Sequence, residues 1–429
     1  MVASVEGDTP LSVSLAERPI GTPQHAVIVV PSTGEFDTRS HRIAAGLVAR
    51  GHQVTLITRW APGMSALELA PIGYQIIRVD ADPLRGLPAS RVVRAFLWRH
   101  GHPAGAIGHN IAAIGAIRAN ARRVMEVAPR SDLVHGMAFM GVPVALRLGR
   151  RDGIPVVYDA LDLYVDAGRL ATLPGPVRAG LAWVERRWAR RATAVLSANG
   201  PYASVQARRF GRAPVVIYNG SLRFSPPTVP ERRFHDRLGI PSERRIVLYH
   251  GGFSAGRGIE QLIEAIKLVP DTTLVLMGYG ALADMLVARA AEPELVDRLR
   301  VMPAVPPVEL LDWIASADVA AMPIQPTTRN HRLSTPNKLF EAMSARVPIL
   351  ASDLPGMGSV VRATGSGLLV DPTDPVAIAA GLVEILDAPR ETRERWRAAG
   401  LGAPSGPYGW DRQFARLLDV YASCTGRPW

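Results

Sequence analysis

One lysine occupies a position that local electrostatics disfavours. Within residues 333–348, Thr335 is a good N-cap and Pro336 suits the first helical position, so the sequence predicts a helix that carries Lys338 in its first turn. A cation there opposes the helix dipole, at a cost of a few tenths to about 1 kcal/mol. A docked anion would remove that cost, because free backbone N–H groups, the dipole and the ammonium would all point at it. We therefore predict a phosphate site at Lys338, with a solvated surface lysine as the alternative.

Glu341 lies three residues after Lys338, on the same face of the predicted helix. Lys338 can then meet a diphosphate while Glu341 accepts hydrogen bonds from neighbouring sugar hydroxyls, which is the layout of a nucleotide's ribose beside its phosphates. The two residues could instead form an i,i+3 salt bridge. We predict a nucleotide site that also includes Thr335, Asn337 and Leu339.

The composition is that of a globular protein with more than one domain. With 429 residues, 48% of them hydrophobic and 20% charged, the chain is too long for one ordinary domain and too apolar to be disordered. No apolar run predicts a membrane-spanning helix, and residues 1–23 read as a loose polar extension without a secretory signal. The single cysteine, Cys424, excludes an internal disulfide and favours a cytoplasmic protein.

The positive charge is concentrated in the first half. Residues 1–222 contain 26 Arg against 15 Asp and Glu, whereas residues 223–429 carry no net charge. Much of the excess lies in residues 85–130 and 178–191, where arginine is mixed with tryptophan and phenylalanine. Basic helices with aromatic anchors suit an anionic membrane surface or an anionic acceptor, and core-facing helices with a solvated arginine face are the alternative. No nucleic-acid-binding motif accompanies the charge, so we expect no nucleic-acid partner.

Short apolar runs alternate with helical patterns, which is typical of parallel sheets covered by helices on both faces. The predicted strands are residues 25–31, 53–58, 74–79, 133–135, 155–159, 194–197 and 214–218 in the first half, and 245–250, 273–277, 300–302, 318–322, 348–351 and 367–370 in the second. A connector rich in Pro and Arg separates the two runs. We predict two doubly wound α/β domains facing across a cleft, at residues 24–220 and 242–405, with a linker at 221–241 and a final segment at 406–429.

A glycine-rich turn opens the second domain. In V-L-Y-H-G-G-F-S-A-G-R-G, a strand ends just before Gly251 and Gly252, and these glycines let the backbone turn tightly. Arg257 stands at the entrance of the next helix, where it could clamp a diphosphate from the side opposite Lys338. The sequence thus predicts two cations around one anion, although the glycines could serve the turn alone.

A second glycine pair follows the next strand. In L-V-L-M-G-Y-G-A-L-A, Gly278 and Gly280 imitate a dinucleotide fingerprint, which is a weak signal alone. The following strand, which ends at Met302, lacks the acidic residue that NAD binding requires, so NAD is disfavoured. We assign these two glycines and Met302 to the nucleotide side of the cleft.

Three segments of the first half are predicted to face the same cleft. D-L-V-H-G-M places His135 at a strand end, where it could donate a hydrogen bond to a sugar hydroxyl or be merely structural. Asp159 and Asp162 end the next strand, and Gly34 and Glu35 lie in the loop after the first strand. We assign these four residues to the acceptor or phosphate loops.

A D-x-D spacing at Asp80 and Asp82 is one that can hold a divalent metal. It directly follows a predicted strand and precedes a proline, which favours a turn. No cluster of His and Cys indicates a transition metal, so we expect neither a metal nor another cofactor in catalysis.

Several segments together resemble family 4 glycosyltransferases over nearly the whole chain from about residue 25. They are T-R-S-H-R-I-A-A-G-L-V-A-R-G-H-Q-V-T-L-I-T, V-I-Y-N-G, G-R-G-I-E-Q-L-I-E-A, M-G-Y-G, and S-T-P-N-K-L-F-E-A-M with V-P-I-L-A-S-D-L-P-G. The resemblance implies a GT-B fold, with the acceptor domain first and the sugar-nucleotide domain second. It also implies metal-independent transfer with retention of anomeric configuration, and a final helix at residues 411–423 that crosses back onto the first domain.

The same resemblance implies roles for individual residues. Arg257 and Lys338 would bind the diphosphate, Glu341 the ribose, and His135 would lie beside the donor sugar. The sequence departs from the family pattern at Leu333, where the first glutamate of a paired-glutamate motif is expected. A second departure is Gly252, which stands where an arginine is usual.

We favour a glycosyltransferase that moves a sugar from a nucleotide-diphosphate-sugar donor to a glycan, lipid-linked or small-molecule acceptor, as in cell-envelope polysaccharide or glycolipid synthesis. Its expected location is the cytoplasm or the inner face of the cell membrane. A GT-B-fold sugar-nucleotide epimerase and a non-catalytic sugar-nucleotide-binding protein are the alternatives. Transfer needs donor and acceptor, epimerisation needs the donor alone, and a binding protein consumes neither.

Overall fold

Two separate sheets organise the chain. The structure is a computed structural model, and it describes residues 22–80, 121–225, 231–402 and 406–429. The predicted extension before residue 22 and most of the basic segment at 85–130 lie outside the described residues.

The first sheet has eight strands in the order β3-β4-β2-β1-β5-β6-β7-β8. They are β1 (His25–Val29), β2 (Gln53–Arg59), β3 (Leu67–Leu69), β4 (Gln75–Val79), β5 (Leu133–Met137), β6 (Val156–Ala160), β7 (Ala194–Ser197) and β8 (Val215–Val216). Neighbouring strands run parallel except for β3, which pairs antiparallel with β4. The central strands β5 and β6 are buried along their whole length, as expected of a parallel sheet covered on both faces.

The second sheet has six strands, in the order β11-β10-β9-β12-β13-β14, and all its pairs are parallel. They are β9 (Arg245–Gly252), β10 (Thr272–Tyr279), β11 (Leu299–Pro303), β12 (Val319–Met322), β13 (Ile349–Ser352) and β14 (Gly367–Val370). Successive side chains of β9 enter different cores: Ile246 and Leu248 pack on one face, Val247 and Tyr249 on the other. This period of two is the geometry of a strand buried on both sides.

Helices connect these strands and cover the sheets. In the first half they are α1 (Thr38–Val48), α2 (Ala138–Asp152), α3 (Gly168–Ala171), α4 (Gly175–Arg191) and α5 (Gly200–Phe210), with a 3₁₀ turn at Tyr164–Asp166. Residues 121–127 are also helical. In the rest of the chain they are α6 (Arg233–Leu238), α7 (Ile259–Ile266), α8 (Ala283–Ala290), α9 (Leu310–Ala315), α10 (Arg329–Leu333), α11 (Asn337–Ser344), α12 (Pro355–Thr364), α13 (Pro375–Asp387), α14 (Arg390–Gly402) and α15 (Trp410–Thr425).

The predicted fold class of two doubly wound α/β domains is confirmed, and each predicted strand lies within two residues of an observed one. The edge strand β3 was not predicted. Its side chains Leu67 and Leu69 are exposed, so the segment shows none of the alternation that marks a half-buried strand.

The last helix, α15, packs against the first sheet's domain. Phe414, Leu417 and Tyr421 share a hydrophobic cluster with Ile43 of α1 and with the first strands. A Cβ at Gly46 would lie 2.5 Å from the Phe414 ring, so the absence of a side chain at that position lets the two helices approach. The chain therefore returns from the second domain to the first.

The carboxyl ends of strands from both sheets border one cleft. From the first domain it is lined by the β1–α1 loop and by residues that follow β6, and from the second by the β9–α7 turn, the end of β10 and the start of α11. Ligands of doubly wound sheets bind at such strand ends.

Candidate active site

The cleft between the two domains has a volume of about 620 Å³. Both domains contribute side chains to its wall. Of the site residues predicted from the sequence, those that line it are Asp162, Gly251, Gly252, Arg257, Thr335, Asn337, Lys338 and Glu341.

Helix α11 begins one residue later than predicted. Its N-cap is Pro336, which supplies no side-chain cap, and the assignment of Thr335 as the capping residue is wrong. The Thr335 hydroxyl instead accepts a hydrogen bond from Asn199 of the first domain, at 3.1 Å. Lys338 is thus the second helical residue, still in the first turn. The uncapped N-terminus opens on the cleft.

The ammonium of Lys338 is buried without a conventional partner. The residue is 8% exposed, and Nζ has no hydrogen-bond acceptor among the described residues. Nζ lies 3.5 Å from the centroid of the Tyr249 ring. Burial, and then the charge of Arg257, lower the pKa of Lys338 well below its ordinary value. An anion in the cleft would relieve both effects, whereas the alternative of a solvated surface lysine does not fit this burial.

Glu341 is buried beside Lys338 but pairs with other residues. Its Oε2 lies 3.1 Å from His250 Nε2, and its Oε1 lies 3.8 Å from Arg42 of the first domain. Burial acts to raise the pKa of Glu341, but the His250 hydrogen bond and the charges of Arg42 and Lys338 lower it overall. The described residues contain no Lys338–Glu341 ion pair, so the i,i+3 salt-bridge alternative is not what the structure shows.

Arg257 faces the same space from the β9–α7 turn. Helix α7 is preceded by Gly258, whose φ of 76° suits glycine, and a Cβ there would lie 1.8 Å from the Pro323 carbonyl oxygen. Glycine at this position lets the turn fold and places Arg257 at the cleft. Its side chain contacts Ser254 at 3.4 Å and forms no ion pair with any described residue. Arg257 therefore remains available for an anion.

Four residues that the sequence assigns to the nucleotide side do not line the cleft. A Cβ at Gly278 would lie 1.9 Å from the Gly251 carbonyl oxygen, and one at Gly280 would lie 2.4 Å from another backbone oxygen of the β9–α7 turn. These glycines let the end of β10 pack closely against that turn. Met302 and Leu339 are buried in the hydrophobic core. Their neighbours Met277, Tyr279 and Ala304 line the cleft instead.

His135 and Asp159 are buried in the first domain, so their placement in the cleft is wrong. His135 is 0% exposed, with Nδ1 2.6 Å from the Tyr421 hydroxyl of α15 and Nε2 3.2 Å from Asp159 Oδ2. Asp159 also accepts two hydrogen bonds from Arg39, at 2.7 and 3.2 Å. Burial acts to raise the pKa of Asp159, but the Arg39 charge and the His135 hydrogen bond hold it below its ordinary value. The strand end lies two residues beyond His135, which explains the misplacement.

Of the three remaining residues assigned to the acceptor side, only Asp162 lines the cleft. Asp162 lines the cleft and accepts a hydrogen bond from Asn330 at 3.1 Å. Burial raises the pKa of Asp162, although the hydrogen bond from Asn330 and the charge of Arg257 oppose the rise. Gly34 is buried with a φ of 83° and Glu35 is exposed, and neither lines the cleft. Their loop reaches the cleft through other residues, namely Ser32, Thr33, Phe36 and Asp37.

Polar contacts across the cleft were missed in the sequence. Asn337 of α11 donates to Thr38 at 3.0 Å and accepts a hydrogen bond from Asn219, which follows the last strand of the first sheet. Asn330 also donates to Asp162, and its own backbone carbonyl accepts a hydrogen bond from Tyr202. Asn219 lies in the V-I-Y-N-G segment, which carries part of the family resemblance but does not indicate that Asn219 bonds to Asn337. Such pairs depend on how the domains face each other.

Leu333, where the family pattern has a glutamate, contributes an apolar contact between domains. Its side chain packs against the first-domain cluster that includes Leu163, Tyr202 and Val205. Its carbonyl accepts a hydrogen bond from Asn199 at 3.0 Å. The departure from the pattern thus replaces a charged group near the cleft with a contact that joins the domains.

Neither a metal cluster nor a membrane-spanning helix is found in the part of the chain that the structure describes. No three His, Cys, Asp or Glu side chains of the described residues are grouped so as to hold a metal ion. The D-x-D pair has its second aspartate, Asp82, outside the described residues. Over the same described ranges, no helix has the length and apolar character needed to cross a membrane.

Comparisons with known proteins divide the chain at the same place as the sheets. A model of the glycosyl transferase 4-like domain matches residues 36–220, and the model named glycosyl transferases group 1 matches residues 230–401. A D-inositol 3-phosphate glycosyltransferase of Xylanimonas cellulosilytica is 27% identical over 422 residues, which cover 92% of this chain and 94% of that protein.

Solved structures share the fold at low identity. Sucrose-phosphate synthase from Thermosynechococcus elongatus superposes with a TM-score of 0.69 and 20% identity, covering 93% of this chain and 98% of that one. Anabaena HepE, solved in complex with UDP and glucose, gives a TM-score of 0.66 at 16% identity, covering 93% of this chain and 100% of that one. The two sheets facing across a cleft, the two matched models and these neighbours together show that the chain belongs to the family 4 glycosyltransferases (glycosyl transferases group 1) and has the GT-B fold.

Proposed function

We propose that this glycosyltransferase takes its sugar from a nucleoside diphosphate donor bound by Arg257, Lys338 and Glu341. The sugar passes to an acceptor on the first-domain side of the cleft, without a catalytic metal and with retention of anomeric configuration. Retention is proposed from the family resemblance of the motifs. The donor site is proposed from the geometry of the second domain.

The observation that carries the proposal is the buried Lys338 ammonium, which has no hydrogen-bond acceptor among the described residues. Burying a charge without a hydrogen-bond partner costs free energy, and a bound anion would offset that cost. Arg257, without an ion-pair partner in the described chain, faces the same cleft, and the N-terminus of α11 adds free N–H groups. Two cations and a helix terminus around one space suit a diphosphate.

The same groups supply the chemistry that a leaving diphosphate needs. Negative charge grows on the bridging oxygen as the bond to the sugar breaks, and preformed positive groups in a sheltered site stabilise it. Lys338 and Arg257 can do this without a metal ion. On the first-domain wall, Asp162 is the carboxyl group that we propose orients the acceptor hydroxyl, because it lines the cleft and a carboxyl oxygen can accept a hydrogen bond from a hydroxyl group.

The nucleotide and acceptor classes follow from the relatives as hypotheses. The Anabaena structure is described with UDP and glucose, so UDP is the first nucleotide to test. Curated relatives are named D-inositol 3-phosphate glycosyltransferases, so an inositol phosphate is a first small-molecule acceptor to test. Glycan and lipid-linked acceptors, such as those of envelope polysaccharide or glycolipid synthesis, are the other classes in the proposal.

A peripheral association with the inner membrane face is also proposed, and helix α4 supports it. Trp183 is 61% exposed, and the Arg187 guanidinium lies 5.8 Å from its ring centroid. Glu185 and Ala189 of the same helix are buried against the domain. The outer face of α4 therefore combines an exposed aromatic ring with cations, which suits an anionic lipid surface.

The Lys338→Ala variant is expected to weaken UDP binding by roughly 2 kcal/mol or more, because a charge-assisted contact is lost. The free energy of unfolding should be unchanged or raised, because the substitution removes a buried cation that has no acceptor from a helix N-terminus. The matched control is Lys267→Ala, because Lys267 pairs on the surface with Glu264 and Glu294. Calorimetry and urea unfolding measure the two effects. Wild-type affinity in Lys338→Ala would reject the phosphate role.

Transfer itself is tested with UDP, GDP and ADP sugars, each with and without an acceptor panel that includes inositol phosphate. We expect donor consumption only when an acceptor is present, activity that persists in excess EDTA, and NMR of the product showing the donor's anomeric configuration. Consumption of the donor alone with a changed sugar would indicate an epimerase. Donor binding with no turnover on any acceptor would indicate a binding protein, and loss of activity in EDTA that Mg²⁺ or Mn²⁺ restores would overturn the metal-free proposal.

For the membrane, the protein should co-sediment with vesicles containing anionic lipid, ignore neutral vesicles and release as salt rises, because surface attraction decays over about 8 Å at physiological ionic strength. Changing Arg186, Arg187, Arg190 and Arg191 to Gln should weaken binding by about 1 kcal/mol per charge. The matched control changes four arginines of α14 to Gln: Arg390, Arg393, Arg395 and Arg397. Equal loss in both variants, or no binding at low salt, would contradict a membrane role for α4.

A further inference from the structure

Tyr249 makes two contacts that meet in the donor site. The face of its ring lies against Lys338, with Nζ 3.5 Å from the ring centroid. Its hydroxyl donates a hydrogen bond to the Gly252 carbonyl at 2.9 Å, which fixes the end of β9. The residue itself is 0% exposed and packs in the core behind the sheet. One rigid side chain thus contacts both the cation and the turn that border the cleft.

The electron-rich face of the Tyr249 ring makes a cation–π contact with the Lys338 ammonium. Nζ has no oxygen or nitrogen acceptor in the described chain, and the carboxylate of Glu341 pairs with His250 and Arg42. A cation over an aromatic face within about 6 Å of its centroid is attracted to it, most strongly where water is excluded. Lys338 also lines the cleft. The lysine therefore rests on the ring with space on its other side.

We propose that Tyr249 is a positioning residue of the donor site, whose ring face holds the Lys338 ammonium at the diphosphate position before the donor binds. The function of this contact rests on the proposed donor site, but its existence does not. Without the ring, the flexible lysine stem would lose the contact that holds its ammonium in this place. The hydroxyl has a separate task, which is to hold the Gly252 carbonyl.

Three other titratable groups face Lys338. Burial lowers the pKa of Lys338 most, Arg257 lowers it further by repulsion and Glu341 raises it, while burial lowers the pKa of the nearby His250. The ring stabilises the charged form of the lysine. Removing the ring should therefore lower the pKa of Lys338 further, with these three groups left in place.

The chain offers a direct probe, because it contains only two lysines, Lys267 and Lys338. With ¹³Cε-labelled lysine, NMR of the full chain should show one signal of an exposed lysine and one shifted upfield by an aromatic ring, which Lys338→Met removes. Tyr249→Phe should keep the upfield shift and Tyr249→Leu should abolish it and lower the titration midpoint. An unshifted Lys338 signal in the wild type, or a shift that survives Tyr249→Leu, would overturn the proposal. The wild-type spectrum decides even if Tyr249→Leu does not fold.

The functional consequence is measured by UDP affinity. Tyr249→Leu should weaken binding about threefold to thirtyfold, the range of cation–ring contacts from exposed to desolvated sites, and Tyr249→Phe should retain most of the affinity. In a Lys338→Met background the Tyr249→Leu effect should disappear, because the ring acts through the lysine. An equal loss in both backgrounds would assign Tyr249 a purely structural role and contradict the proposal.

The two proposals fail in different ways. If the wild type binds no nucleoside diphosphate, the proposed donor site is wrong, and the lysine spectra still decide whether Tyr249 holds the ammonium. If UDP binds but the double-mutant cycle shows no coupling, the donor site stands and the positioning role is rejected.

Discussion

A buried ammonium without an acceptor sets the requirements that the rest of the cleft meets. Lys338 lies at an uncapped helix N-terminus, where the dipole and the charge of Arg257 both oppose it. Burial makes this arrangement more unfavourable, because the charge cannot be hydrated. The Tyr249 ring offsets part of that cost, and Glu341 is held elsewhere by His250. An anion bound beside Lys338 would therefore stabilise this arrangement.

This arrangement depends on contact between the two domains. Helix α11, which carries Lys338, is tied to the first domain by the contacts of Asn337 with Thr38 and Asn219. Arg42 of the first domain lies 3.8 Å from Glu341, so the residue proposed for the ribose also faces a first-domain cation. Helix α15 then packs the end of the chain on the first domain. Movement of one domain relative to the other would change the surroundings of the donor site directly.

The sequence predicted those features that short-range rules determine. Alternating apolar runs located the strands, and the cation in a first helical turn located Lys338. Features set by packing were harder to predict. His135 was placed at a strand end, but β5 continues two residues further and the ring pairs with Tyr421, which lies 286 positions away. Tyr249 appeared as an ordinary core residue of a strand, because nothing near it in the sequence shows which side chain would rest on its ring.

Proton uptake on UDP binding tests the central claim most directly. The pKa of Lys338 is lowered in the free protein, and a bound diphosphate would raise it, so between the two values binding must take up a proton and affinity must fall as pH rises. Calorimetry in buffers of different ionisation enthalpy, at a pH well above the phosphate pKa of about 6, measures the number of protons. The account predicts net uptake in the wild type that Lys338→Met abolishes. Identical proton numbers in the two proteins across the alkaline range would contradict it.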